Sequence, residues 1–225
     1  MIIFKHALQR NISQPINLLL ILILPIALIF IPPIGDGYPN GLYLYGMLSL
    51  FTGFLLCKPI VEERINKIIL RISASPIDYI NYLFSHLLAY ALILAVQDII
   101  FIIGFALYWN DIAINYALVF SLHFAFNIMA VAFCFFWNSL FKSYNLAFGI
   151  FSGVGSVLCL ISGISMPLRV IPETIQNITI FLPTYWLPYG LDSLYEGNIK
   201  IVIISLFVLS LYSIIFLLIG SIRRY

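Results

Sequence analysis

Charge is the scarcest commodity in this sequence: nine acidic and eleven basic residues make up 9% of 225, against 63% hydrophobic residues and a mean hydropathy of +1.08. A soluble globular domain carries about 25% charged residues, so a soluble fold is excluded and the chain resides in a bilayer. The formal net charge of +2 is small and dispersed, which excludes a nucleic-acid partner. Cysteine is nearly absent too. Cys57, Cys134 and Cys159 lie in or beside apolar runs without metal-ligand spacing, and their odd number fits no disulfide framework, so they read as packing residues. No glycine-rich phosphate loop followed by Lys and Ser or Thr occurs, so any ATP chemistry comes from another chain. A glycine-flanked serine, a His-Glu-x-x-His helix and a paired-aspartate run are also missing. These absences weigh against catalysis, and neither a catalytic residue nor a metal ligand is assigned.

What is present is a succession of apolar runs. Residues 1–14 alternate Ile3, Phe4, Ala7 and Leu8 with Lys5, His6, Gln9 and Arg10, the two-faced pattern of a helix lying along the membrane surface. The run from Ile16 to Ile31 contains Pro25, ends at Pro32-Pro33 without a small-residue cleavage site, and reads as a first span rather than a signal peptide. Further spans are predicted over Leu42–Cys57, Tyr79–Tyr108, Ile114–Trp137, Leu146–Ser165 and Lys200–Ile222. In the fifth of the six, Gly149 with Gly153 and Ser152 with Ser156 form small-xxx-small pairs. Such pairs permit close approach of a helix from the same chain or from another subunit. Residues 166–198, with Pro167, Pro172, Pro183 and Pro188, are too broken to span and too apolar for a free loop. Short re-entrant or interfacial helices reconcile the two, with Tyr185, Trp186 and Tyr189 at headgroup level.

The predicted fold is therefore an all-α integral membrane protein in one domain, residues 1–225, with six transmembrane helices. Lys5, Arg10, Lys58, Arg64, Lys67, Arg71, Lys142, Arg223 and Arg224 fall on one side and only Arg169 and Lys200 on the other, which places both termini in the cytoplasm of a cell membrane. The strongly charged segment, 58–78, is then cytoplasmic. Glu63, Lys67 and Arg71 recur at i, i+4 and i+8, opposite Ile65, Ile68, Ile69 and Ile72, predicting an amphipathic helix over 61–72. Ser73-Ala74-Ser75-Pro76 breaks it, with Ser75 as N-cap, Pro76 at the first helical position and Asp78 as capping-box acid for the next helix. Inside the spans, Asp98 and His123 fall at similar depth, with Gln97 and Asn127 beside them. They are expected to face the interior as a pair, either on a transport pathway or as interhelical glue. His86 reads as a solvated or interfacial histidine.

In this order and spacing the chain resembles the membrane subunit of an ATP-binding cassette exporter of the type-2 permease family. The resemblance rests on the N-terminal two-faced helix, on Glu62-Glu63-Arg64 leading to Ser75-Pro76, and on Met166-Pro167-Leu168-Arg169-Val170-Ile171-Pro172 followed by Leu182-Pro183. Asn66-Lys67 stand where that family often has a glycine. The resemblance implies that Glu62, Glu63, Arg64, Lys67 and Arg71 form a coupling helix docked on a cytoplasmic ATPase. It also implies two copies of that ATPase carrying the ATP and Mg, a second permease chain as partner, and no cofactor on this chain. The few charges within the spans suit an amphipathic or lipophilic cargo such as a peptide, drug or lipid-linked molecule. Two alternatives stand beside it. One is an intramembrane metalloprotease using Glu62-Glu63 and His123 with Asn127; the other is a proton-coupled transporter centred on Asp98.

Overall fold

In a computed structural model, residues 2–13, 15–34, 37–66, 79–112, 114–168 and 171–222 are described. Among them the chain is helical throughout: α1 (Ile2–Ile12), α2 (Pro15–Ile29), α3 (Asn40–Leu56), α4 (Lys58–Ile65), α5 (Tyr79–Tyr108), α6 (Tyr116–Ser139), α7 (Tyr144–Ile161), α8 (Glu173–Thr179), a 3-10 turn at Pro183–Tyr185, α9 (Trp186–Tyr195) and α10 (Ile199–Ile222). Five stretches are long and apolar enough to cross a membrane: α3 with α4, then α5, α6, α7 and α10. The run read as the first span is helical for 15 residues, which at about 1.5 Å per residue falls short of a hydrocarbon core of about 30 Å.

Local chemistry sets the helix ends. Asn115 caps α6 by accepting from the Leu118 amide at 3.3 Å, and Ser143 caps α7 by accepting from the Leu146 amide at 3.2 Å. The predicted span to Ser165 stops earlier, at Ile161. The reason is Gly163, whose φ of +89° is left-handed, and at which a Cβ would stand 2.4 Å from Leu168.

The charged helix also differs from its prediction. It begins at Lys58, separated from α3 by Cys57 alone, because Pro59 lacks the amide that would continue the α3 ladder. Its buried residues are Pro59, Ile60 and Val61, whereas Ile65 is 52% exposed. The expected apolar face is thus displaced toward the start of the helix. Lys67, Ile68, Ile69, Arg71, Ile72 and the Ser73–Asp78 break lie outside the described residues.

α6 is the centre of the bundle: 67% of its spanning window is buried, against 22% for α7 and for α10. Lipid tails are as apolar as these side chains, so packing fit and hydrogen bonds select helix partners here. Tyr45 stacks on Phe101 at 4.3 Å and Phe54 lies 4.3 Å from Phe151. Short helices do fill the proline-rich segment, and they are folded into the bundle rather than laid over it. α9 buries Leu187, Leu191 and Leu194 against α10, α6 and α3, and the Tyr43 hydroxyl donates to Asp192 at 2.6 Å. Upstream, the Gln176 amide closes the preceding loop by donating to the Leu168 and Ile171 carbonyls, each at 2.7 Å.

Candidate functional site

The charged residues of α4 are engaged within the chain. From α1, the Arg10 guanidinium forks across two neighbouring carboxylates, with Nη2 2.8 Å from Glu62 Oε2 and Nη1 2.7 Å from Glu63 Oε1. The second oxygen of Glu63 accepts from the Tyr82 hydroxyl of α5. Lys58 stands 3.9 Å from Glu62, one helical turn away. Arg64 points the other way, donating to the carbonyls of Asn138 at 2.8 Å and Phe141 at 2.5 Å. Those carbonyls lie at and just beyond the C-terminal end of α6, where the helix dipole favours a cation. α4 is therefore wired to α1 and α5 through its acids and to α6 through its arginine.

Arg10, Tyr82 and His86 belong to this site, and nothing local in the sequence announces the first two, because Arg10 meets carboxylates more than fifty positions away and Tyr82 meets one nineteen positions away. His86, read as solvated or interfacial, has little exposed surface: its Nδ1 lies 3.1 Å from the Tyr90 hydroxyl, and it lines a cleft of about 500 Å3 with Ile3, Arg10, Glu63 and Tyr82. The α1 helix packing on α5 supplies the cover. Arg10→Ala is expected to lower stability by roughly 1–2 kcal/mol, more than the ~0.2–1 kcal/mol of an exposed pair, because the fork is bidentate and Glu63 is only 17% exposed. Arg10→Lys, a point charge, should recover part of that loss. Thermal unfolding in detergent measures both.

The buried polar residues form a second cluster at the heart of the bundle. Asp98 on α5 accepts from the Tyr45 hydroxyl of α3 at 2.6 Å, and both its oxygens accept from Asn127 Nδ2 of α6, at 2.9 and 2.8 Å. His123 is equally buried, but it does not bond to Asp98. Its Nδ1 and Nε2 lie 3.0 Å from the Val119 and Leu42 carbonyls, and a neutral imidazole donates to one of them at a time. The Tyr45 ring stands against His123, edge to face at 5.0 Å. The two residues therefore meet through a tyrosine that depth along the helices does not predict. Asn127 joins Asp98 as expected, while both polar atoms of Gln97 are buried without a hydrogen-bond partner.

The glutamates of α4 and the His123 cluster occupy separate neighbourhoods, and among the described residues no three His, Cys, Asp or Glu side chains gather as metal ligands. Among the described residues, the glycine pair of α7 is used by no other helix: a Cβ on Gly149 or Gly153 would meet nothing within 4 Å. With Ile150, Val154 and Val157 they line an open groove of about 390 Å3.

No curated protein matches the chain. A family model described as "ABC-2 family transporter protein" matches residues 34–222, a stretch that takes in α3 to α10, and with them the buried polar cluster and all of the charged cluster except its α1 residues. With that match and its apolar helices, the chain belongs to the ABC-2 transporter family, as a multi-pass membrane permease.

Proposed function

We propose that the chain is the permease subunit of an ATP-binding cassette exporter and that α4 is the element through which a separate cytoplasmic ATPase drives it. The observation that carries this reading is the wiring of α4. A helix clamped by Glu62 and Glu63 to α1 and α5, and by Arg64 to α6, cannot be displaced without moving three helices. It therefore suits rigid transmission between two discrete states better than loose anchorage on lipid. ATP and Mg2+ belong to the ATPase, present in two copies. A second permease completes the path, and an amphipathic or lipophilic molecule moves outward between them. In this arrangement α2 is a short sixth span, both termini are cytoplasmic, and α8 and α9 face outward. Asp98, Asn127 and His123 serve as glue joining α3, α5 and α6, since all three are buried and hydrogen-bond within the chain.

Glu62, Glu63 and Arg64 spend their charges internally, so substituting Glu63 would perturb the fold as well as any docking. Ile65, exposed at the end of α4, separates the two. Ile65→Glu is expected to leave the unfolding temperature of the chain unchanged while reducing co-purified ATPase and its permease-stimulated hydrolysis at least about tenfold, the effect of losing a central interface residue. Unchanged ATPase recovery with Ile65→Glu would sink the docking reading.

A further inference from the structure

The cleft of about 500 Å3 between α1, α4 and α5 has the size of a small-molecule site, and the transport reading leaves it without a role. One wall is the polar face of α1, where His6, Gln9, Arg10 and Ser13 recur at three- and four-residue spacing. Glu63 of α4 and Tyr82 and His86 of α5 form the other. Arg10 and Glu63, although paired, both keep unused capacity. Each terminal nitrogen of Arg10 and each oxygen of Glu63 makes one hydrogen bond, whereas a guanidinium has five N–H groups and a carboxylate about four lone-pair sites. His86 lies one turn deeper along α5, 4% exposed, with its ring 4.5 Å from that of Tyr82. Tyr90 engages its Nδ1, and its Nε2 has no hydrogen-bond partner among the described residues. The cleft thus offers a positive group, a negative group and a free imidazole nitrogen, beside the apolar Ile3, Ala7 and Pro59.

We propose that this cleft binds a phospholipid headgroup that pairs a protonated primary amine with a phosphate, the headgroup of phosphatidylethanolamine. An ammonium has three donors and no acceptor, and Glu63 and His86 Nε2 are the acceptors for it. The phosphate oxygens take the spare N–H groups of Arg10, with His6 and Gln9 at the exposed rim. Charge selects this class of ligand. An anion alone would lie beside Glu62 and Glu63 with nothing of its own to offset them, and a cation alone would meet Arg10. A zwitterion answers both. Place selects a lipid over a soluble zwitterion: α1 is a two-faced helix of the kind that lies along a membrane surface, and Ile3, Ala7 and Pro59 give the glycerol and acyl carbons an apolar edge. The site stands apart from the docking of an ATPase. Its consequence rests on that reading: a headgroup bridging α1, α4 and α5 at the Arg10 fork makes the surrounding lipid set how firmly α4 is held.

Lipid retention tests the site with neither ATPase nor cargo present. The full chain, delipidated in detergent, is mixed with phosphatidylethanolamine, phosphatidylcholine or phosphatidylglycerol of identical acyl chains, and bound lipid is counted by native mass spectrometry. One phosphatidylethanolamine per chain is expected, held about tenfold or more tightly than phosphatidylcholine, whose methylated amine has no N–H to donate, and than phosphatidylglycerol, which has no amine. His86→Leu should abolish that preference. His6→Glu, which sets a carboxylate beside the phosphate, should weaken phosphatidylethanolamine binding roughly fivefold, the size of an exposed charge effect. Lys200→Ala, at the start of α10, should leave it unchanged. Equal retention of the three lipids, or a preference that neither cleft variant alters, would overturn the proposal. Soluble phosphoethanolamine held as tightly as the lipid would overturn the lipid as occupant. Should His86→Leu fail to fold, the exposed His6→Glu decides alone, and unchanged binding refutes the site.

Discussion

Alanine at position 41 is expected to cost roughly 3 kcal/mol and to leave little folded chain in detergent. Gly41 lies in the first turn of α3, where a glycine-to-alanine change ordinarily favours a helix by up to about 1 kcal/mol. Here the sign reverses. A Cβ on Gly41 would stand 2.0 Å from the Leu28 carbonyl oxygen and 3.0 Å from its carbon. Both atoms are backbone, so no rotamer relieves the clash and α2 must move away from α3. Overpacking costs about 1–3 kcal/mol when side chains can yield, and a backbone obstacle belongs at or beyond the top of that range. The displaced α2 would also strain the bond from Trp109 Nε1 to the Ile29 carbonyl, 2.7 Å long, which ties α2 to the end of α5. Gly149→Ala is the control: its Cβ meets nothing within 4 Å among the described residues, so its unfolding temperature should match the wild type. A Gly41→Ala protein as stable as Gly149→Ala would contradict the α2–α3 contact.

Asp98→Ala should be comparably damaging, for a different reason. The substitution strands the Tyr45 hydroxyl and the Asn127 amide, both buried, and unsatisfied buried groups cost about 1–3 kcal/mol each. A loss of roughly 2–5 kcal/mol follows. Asp98→Asn keeps one carbonyl oxygen and should lose less than half as much. The three-helix tie can be dissected with Tyr45→Phe: once the hydroxyl is gone, Asp98→Ala should cost distinctly less than in the wild type, because the two losses share a bond. If the effects of Tyr45→Phe and Asp98→Ala simply add, the two residues are not coupled. If Asp98→Asn is fully stable yet abolishes transport, the carboxyl serves the pathway rather than the packing.

Much of the architecture was legible because composition and apolar run length are one-dimensional. Tyr79–Tyr108 is helical over the predicted range, and α6 and α10 begin within two residues of theirs. The errors have local causes. α4 starts early because proline removes a hydrogen bond at position 59, and α7 stops early because Gly163 turns left-handed. At the site, the sequence offered Glu62, Glu63 and Arg64 as charges for a partner. It could not show that Arg10 and the end of α6 already hold them, since an ion pair between residues more than fifty positions apart leaves no periodic trace.

The sequence by itself determined that this is a helical membrane protein and where most of its spans lie. Hydropathy and helical period depend only on neighbours along the chain, and a bilayer leaves the backbone little choice but to be helical. The tertiary structure alone decided which polar groups meet: Arg10 with Glu62 and Glu63, and Asp98 with Tyr45 and Asn127. In an apolar solvent that favours no helix pairing over another, those meetings depend on which faces fit, and that is a property of shape in three dimensions.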